Sequence, residues 1–257
     1  MIRRATKKWT IRKTVTTPIK TRWAVSQFDP NIRPCGLRKS AIALALLVSV
    51  LLLVEGCEKK SSGPGGVPLP DHFRIPDAVL AKPIAQLQKN WCWAASAEMV
   101  LSSRGHSVSQ CDQANLYPHD HVTSCCPEDP NCNYPQFPVL SFKPGKTDYK
   151  RNRTPANPVL SPEILEEEIA IYHRPVIFSW RDCEKHCGPA PTGHMMVLVG
   201  YQTIGGKVIF DVLDPWPPHK GGNIPNVNYN QFVAYQPGKS HWDDFYAFKD
   251  GEGNEYQ

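Results

Sequence analysis

The distribution of apolar and polar positions predicts helices in the earlier part of the folded region and strands in its later part. Residues 91–104, WCWAASAEMVLSSR, contain no Pro or Gly and precede Gly105, which predicts a helix that ends near residue 104. Residues 108–117 predict a shorter helix. Residues 161–173 predict a third, because Ser161 can cap it and acidic residues crowd its first half.

Four later stretches are rich in β-branched and aromatic residues, a composition typical of strands. The predicted strands cover residues 176–180, 194–202, 207–214 and 243–249. Gly205 and Gly206 lie between two of them and predict a tight hairpin turn. Helices that precede strands indicate an α+β fold. Residues 118–158 are rich in Pro, Cys, Asn and Lys and are predicted to be mostly loop, with residues 146–153 exposed.

A further apolar stretch, residues 41–54, comes before the folded region. It has 14 residues, of which only Ser49 is polar, whereas a membrane-spanning helix needs roughly 18 or more. Because the stretch follows the basic pair Arg38-Lys39, it is typical of the hydrophobic region of a signal peptide.

The stretch ends in Val54-Glu55-Gly56-Cys57, which resembles a bacterial lipobox with Cys57 as the lipidated residue. An ordinary signal peptide and an uncleaved anchor are the alternatives. We expect three parts: a leader and lipoprotein signal peptide over residues 1–57, a flexible tether over the polar and Gly/Pro-rich residues 58–70, and a folded domain over residues 71–257. The protein is therefore expected to be exported, either anchored by lipid to a bacterial membrane or secreted.

Positive charge is concentrated in the leader. Residues 1–40 hold 11 Lys and Arg and one acidic residue, whereas residues 58–257 hold 18 Lys and Arg against 22 Asp and Glu. The body thus carries a balance of −4. This is no electrostatic footprint for nucleic acid, and no nucleic-acid partner is expected.

The folded region contains an even set of six cysteines besides Cys92, and in an exported domain such a set indicates disulfides. The candidates are Cys111, Cys125, Cys126, Cys132, Cys183 and Cys187. Cys183 and Cys187 can pair locally, and the other pairings stay open. A zinc site is the alternative, but the spacing gives no clean pair of CxxC knuckles. His119 and His121 lie in a Pro-rich loop and are expected to be solvated. No metal and no cofactor is predicted.

Cys92 stands at the start of the helix predicted over residues 91–104, where the positive end of the helix dipole stabilises a thiolate. A Cys between two Trp residues is, by itself, also typical of a buried core. The surrounding segment, QLQKNWCWAAS from Gln86 to Ser96, resembles the nucleophile segment of papain-like cysteine peptidases. The similarity is to the small bacterial branch, which includes staphopain-like, plant-pathogen effector and C39-like proteases. The resemblance implies that Cys92 is the nucleophile and that Gln86 donates to the oxyanion.

Two further segments carry the same resemblance. The sequence TGHMMVLVGY, which starts at Thr192, resembles the strand that presents the catalytic His of this family, and it implies that His194 is the base. Asp214, at the end of the next predicted strand and followed by Pro215-Trp216, matches the residue that orients this His. Asp211 is a nearby alternative within the strand. Trp216 is expected to shield the contact between His194 and Asp214.

The resemblance implies a two-lobed papain-like fold, with a helical lobe that carries Cys92 and a β-barrel-like antiparallel lobe that carries His194 and Asp214. The implied activity is hydrolysis of protein or peptide substrates by a monomer, with an inhibitor or immunity partner unknown. One alternative is an amide or thioester hydrolase, or an acyltransferase, on the same fold. Another is an inert, lipid-anchored binding module.

Overall fold

The structure is a computed structural model. It describes residues 63, 66, 68–118, 122–143, 147–154, 156–182, 192–236 and 238–249. The predicted leader, Cys57, most of the tether, His119, His121, Cys183 and Cys187 lie outside the described residues.

The described residues contain four α-helices: α1 (Cys92–Ser103), α2 (Gln110–Ala114), α3 (Pro162–Ala170) and α4 (Tyr229–Val233). The first three confirm the predicted helices, although α2 and α3 are shorter than predicted. Ala94, Ala95 and Ala97 of α1 have no exposed surface, because a helix that is apolar on most sides is buried on most sides. Helix α4 is not among the predicted helices, and its five residues are too few for a helical period to show.

Seven antiparallel strands form one sheet. They are β1 (His72–Arg74), β2 (Asp148–Arg153), β3 (Val176–Arg181), β4 (Gly193–Ile204), β5 (Lys207–Asp214), β6 (Gly222–Asn228) and β7 (Ser240–Lys249). Their order is β2-β7-β3-β4-β5-β6, and β1 pairs with β4. The α+β class is confirmed. The barrel-like lobe is wrong, because β2 and β6 lie at opposite ends of this order and the sheet stays open.

The predicted hairpin turn joins β4 to β5. Ile204 pairs with Lys207, so the turn has two central residues, Gly205 and Gly206. Both have positive φ, +55° and +70°, the backbone region that a two-residue hairpin of type I′ requires and that glycine adopts without strain. This turn starts the pairing of β4 with β5, whose register then shifts between Leu198 and Gly200 before the strands reach His194 and Asp214.

Strand β2 replaces the exposed loop predicted over residues 146–153. Its Arg151 Nε donates to Asp243 Oδ1 over 2.8 Å, and its Asn152 Nδ2 donates to Asp244 Oδ2 over 3.2 Å. Both aspartates belong to β7 and are fully buried. The polar residues of β2 therefore donate hydrogen bonds to buried carboxylates. Because these residues are charged or polar, the sequence predicted an exposed loop here and not a strand.

The end of the predicted tether belongs to the folded domain. Leu69 is buried, and the carbonyl of Pro70 accepts a hydrogen bond from the Tyr201 hydroxyl over 2.9 Å. The carbonyl of Asp71 accepts from the N–H of Thr203 over 2.6 Å. Packing therefore begins before residue 71, since Leu69 supplies apolar surface that the sheet can bury.

A buried ion pair fixes α3 against β7. Arg174 donates from Nε to Glu168 Oε2 over 2.9 Å and from a second nitrogen to Glu168 Oε1 over 3.0 Å. The N–H of Ala247 in β7 donates to the same Glu168 Oε2 over 3.1 Å. Both charged side chains are nearly inaccessible, so each depends on the other for its solvation.

None of the helices formed by the described residues has the length and apolar character needed to cross a membrane.

Candidate active site

Cys92 is the first residue of α1 and is partly exposed. Trp91 occupies the N-cap position without a side-chain cap bond. Because the first N–H groups of a helix have no acceptor within the helix, they are available to a group that sits above Cys92. Within the described residues, Cys92 is the one cysteine whose sulfur lies outside a disulfide.

His194 and Asp214 are brought together by the pairing of two strands. His194 lies at the start of β4 and Asp214 at the end of β5. His194 Nε2 lies 2.5 Å from Asp214 Oδ1. The same Oδ1 accepts from the N–H of Trp216 over 2.8 Å, which holds the carboxylate toward the ring. Asp211, the alternative, instead forms an ion pair with Arg74.

The imidazole of His194 is electrostatically poised to hold a proton. Burial lowers its pKa, but the hydrogen bonds to Asp214 and Cys92, with the charges of both, raise it more, from an ordinary 6.5 to about 10. Nε2 faces Asp214, so Nδ1 is the nitrogen left for the sulfur of Cys92. The imidazole can therefore hold a proton at neutral pH on the side of its ring that faces Cys92.

A cavity of about 260 Å³ opens beside the sulfur and the imidazole. Its walls come from α1, β3, β4, β7 and the segment that precedes β2: Cys92, Trp93, Pro135, Gln136, Phe137, Ser179, Gly193, His194, Met195 and Trp242. Among these lining residues, His194 and Cys92 are the two with an ionisable side chain. The cavity can accept an apolar or neutral group next to Cys92.

Gly193 is required by the close approach of two groups around His194. A Cβ on Gly193 would lie 2.7 Å from the carbonyl oxygen of Trp180 and 2.9 Å from the ring of Trp242. The ring of Trp242 in turn packs edge-on against Phe137, with centroids 5.0 Å apart. The absence of a side chain at Gly193 thus lets Trp242, which forms one wall of the cavity, lie close to the main chain next to His194.

Gln86 is placed differently from the predicted oxyanion donor. It is fully buried, and its Nε2 donates to the carbonyls of Gln88, over 2.8 Å, and Lys89, over 2.7 Å. A primary amide has two hydrogens to donate, and both are used here. An oxyanion contact requires Gln86 to give up one of these bonds.

The main chain of Gln86 also ties the nucleophile segment to the loop that follows Asp214. Its N–H donates to the carbonyl of Pro215 over 3.0 Å, and its carbonyl accepts from the N–H of His219 over 2.9 Å. These two bonds therefore fix the spacing between the segment before Cys92 and the loop that follows Asp214.

The segment before and after Cys92 is held from a second side by residues 129–134. Gln88 Nε2, Trp91 Nε1 and Trp93 Nε1 each donate to one of its carbonyls. Asn90 completes the contact: its main-chain N–H donates to Asn133 Oδ1 and its Nδ2 donates to the main-chain carbonyl of Asn133, each over 2.8 Å. The two bonds from Trp91 and Trp93 explain why Trp residues flank Cys92: their N–H groups, as well as their apolar surface, set its position.

Two disulfides brace this supporting segment. Cys125 is bonded to Cys132, and Cys111 to Cys126. Cys132 is also the residue whose carbonyl accepts from Trp91 over 2.8 Å. Asp112 lies close to the sulfurs of Cys111 and Cys126, but these two sulfurs are bonded to each other and offer no thiolate to a metal ion.

Several residues that shape the site escaped sequence reasoning. Asn133, Phe137 and Trp242 carry no motif, and their roles come from pairings across more than 40 residues of chain. Gln110 lies in the predicted second helix but showed no signal of its contact with the nucleophile segment. A larger cavity of about 660 Å³, between α3, β5 and α4, contains none of the four predicted catalytic residues.

Comparison with known proteins gives a match to the Peptidase_C39 like family over residues 80–243. The chain belongs to this family of cysteine peptidases. The match spans the segments of Gln86, Cys92, His194 and Asp214, and it confirms the predicted family. No curated protein sequence matches the chain.

Among solved structures, this Peptidase_C39-like chain is similar to procathepsin B S9 from Trypanosoma congolense. The identity is 14% and the TM-score is 0.40, and the alignment covers 72% of this chain and 79% of that chain.

Proposed function

We propose that this protein is an endopeptidase that cleaves peptide bonds with Cys92 as nucleophile, His194 as general base and acid, and Asp214 as the group that orients the imidazole. The observation that carries this proposal is the position of His194. One side of its ring is bonded to Asp214 over 2.5 Å, and the other interacts with Cys92 at the wall of an open cavity.

In the first step, the thiolate of Cys92 attacks the carbonyl carbon of the scissile peptide bond, and the carbonyl oxygen becomes an oxyanion. The imidazolium of His194 then gives its Nδ1 proton to the leaving nitrogen as the C–N bond breaks. The products are a free amine and a thioester on Cys92. Because Asp214 holds Nε2, the proton that moves is the one directed at the cleft.

In the second step, neutral His194 takes a proton from a water molecule, whose oxygen attacks the thioester carbonyl. The C–S bond breaks, the peptide acid leaves, and the thiolate–imidazolium pair is restored. Asp214 does not change its protonation state. It stabilises the imidazolium that forms and keeps the ring in one orientation.

The oxyanion is stabilised by the main-chain N–H of Cys92, which lies at the N-terminus of α1 without an acceptor in the helix. Gln86 supports the same site indirectly, because its side chain shapes the loop of Gln88 and Lys89. A direct contact from Gln86 to the oxyanion would follow from rotation of its amide when substrate binds.

We further propose that the enzyme is exported and anchored through lipid on Cys57. The apolar residues 41–54 and the sequence before Cys57 support this proposal. The two disulfides of the domain add support, because disulfides persist mainly in oxidising compartments. Mass spectrometry of the protein from membranes tests this proposal. A protein that begins at a diacylated Cys57 is expected, and a protein that still begins at Met1 would contradict the proposal.

The activity is tested by exposing the purified protein to a peptide library and identifying the cleaved bonds by mass spectrometry. Wild-type protein is expected to cleave, whereas Cys92→Ala and His194→Gln lose at least about a hundredfold in kcat. His72→Gln is the matched control, because His72 is exposed on β1 and should leave the rate unchanged. Cleavage by Cys92→Ala at the wild-type rate would refute the proposal.

A further inference from the structure

The segment that leads to Cys92 is hydrogen-bonded to a buried side chain of a neighbouring helix. Gln110, the first residue of α2, is 1% exposed. Its Oε1 accepts from the N–H of Leu87 over 2.9 Å, and its Nε2 donates to the carbonyl of Ala85 over 2.9 Å. One amide thus pairs with the main chain on both sides of Gln86, as a neighbouring β-strand would.

The second hydrogen of the same amide reaches α1. Gln110 Nε2 donates to Glu98 Oε2 over 2.9 Å. Burial raises the pKa of Glu98, and the hydrogen bond from Gln110 counteracts that rise. Gln110 therefore joins the helix that carries Cys92 to the segment that carries Gln86, and both amide hydrogens and the carbonyl oxygen are used.

The position of residues 85–87 in turn determines where the loop that follows Asp214 lies. Gln86, between the two residues that Gln110 holds, exchanges two main-chain hydrogen bonds with Pro215 and His219. A Cβ at Gly221, near the end of that loop, would lie 3.2 Å from the side chain of Pro83 and 3.5 Å from the Cα of Ala85, so the loop approaches this segment closely. A displacement of residues 85–87 would therefore move the loop after Asp214 relative to α1.

We infer that Gln110 is a positioning residue of the proposed peptidase: it sets the distance between the Cys92 sulfur and the imidazole that Asp214 orients. It touches neither substrate nor the reacting atoms. The inference rests on the proposed function, because it assigns Gln110 an effect on the thiolate–imidazolium pair. A displacement of about 1 Å in such a pair lowers the rate by on the order of a hundredfold.

The same helix provides a matched control. Gln113 is also fully buried, and its Nε2 donates to the carbonyls of Ala94, over 3.0 Å, and Val108, over 3.2 Å. It does not bond residues 85–87. Gln110→Met and Gln113→Met both keep the side-chain length and remove buried hydrogen bonds, so both are expected to lower the melting temperature.

The experiment measures, in the full-length protein, the rate of Cys92 alkylation by iodoacetamide at pH 6 and pH 9, with mass spectrometry to locate the label. It also measures kcat and KM on a peptide that the wild type cleaves. Gln110→Met is expected to lower the ratio of the pH 6 rate to the pH 9 rate toward that of an isolated thiol, because a Cys92 that has moved away from the imidazolium is protonated at pH 6. It is expected to lower kcat by about tenfold to a hundredfold with little change in KM. Gln113→Met should leave the alkylation ratio unchanged.

Equal alkylation ratios and equal kcat in Gln110→Met and the wild type would overturn the inference, as would equal changes in Gln113→Met. If Gln110→Met does not fold, Gln110→Glu decides, because its carboxylate keeps an acceptor for the N–H of Leu87 and loses both donors. A wild-type ratio in Gln110→Glu overturns the inference. Failure of the proposed function looks different: the wild type itself would then show slow alkylation at pH 6 and no cleavage.

Discussion

The contact between His194 and Asp214 should determine the pH at which activity is lost. In the proposed mechanism the imidazolium of His194 protonates the leaving amine, so activity should be lost as pH rises through the pKa of His194, which is raised to about 10. Asp214→Ala removes the 2.5 Å contact at Nε2. A hydrogen bond to a charged group contributes about 1.5–3 kcal/mol, and one pKa unit corresponds to about 1.4 kcal/mol. The variant should therefore lower this pKa by about one to two units.

The assay is the pH dependence of kcat/KM on a fluorogenic peptide, measured from pH 5 to pH 11. The alkaline limb is expected near pH 10 in the wild type, and about one to two units lower in Asp214→Ala. Asp211→Ala is the matched control, because Asp211 lies on the same strand but pairs with Arg74. An alkaline limb that stays in place in Asp214→Ala, or that moves equally in Asp211→Ala, would refute the role of the contact.

Three further predictions concern the frame around the site. The double variant Cys125→Ser and Cys132→Ser opens a loop with a sequence separation of 7, and chemical denaturation should show a free energy of unfolding lower by about 2.5 kcal/mol. Its activity should also fall, because the lost bond braces the segment 129–134, which accepts hydrogen bonds from Trp91 and Trp93. Gly193→Ala places a methyl group 2.7 Å from a carbonyl oxygen, so it should cost about 1–3 kcal/mol in unfolding free energy and lower kcat/KM, whereas Gly222→Ala, with its nearest contact at 3.3 Å, should cost less. Arg174→Met leaves the buried Glu168 unpaired and should destabilise the fold by about 3–5 kcal/mol, with a thermal melt as the measurement; a melting temperature equal to that of the wild type would contradict the buried pair.

Strands with a strong apolar signal were predictable from sequence. Residues 176–180 and 207–214 are rich in β-branched and aromatic residues, and they form β3 and β5 with limits at or near those predicted. Strand β2 was not predictable, because its side chains are mostly charged or polar. Its partners are the buried Asp243 and Asp244 of β7, which lie more than 90 residues away, and no local pattern shows such a pairing.

The sequence indicated candidate residues for the site but not their geometry. Spacing and resemblance led to Cys92, His194 and Asp214, and the pairing of β4 with β5 explains how the last two meet. Gln86 shows the limit of this reasoning. Its spacing from Cys92 matches an oxyanion donor, yet both of its amide hydrogens reach main-chain carbonyls. Which acceptor a buried amide selects depends on the loop path around it, and a linear spacing does not contain that path.

In the proposed mechanism, His194 keeps Cys92 in a reactive, ionised state. The measurement that tests it most directly is the rate of Cys92 alkylation by iodoacetamide at pH 6, where an isolated thiol with an ordinary pKa of about 8.5 is almost entirely protonated. Fast labelling of Cys92 is expected in the wild type, and labelling slowed at least about tenfold is expected in His194→Gln. Equally slow labelling of Cys92 in both proteins would contradict it.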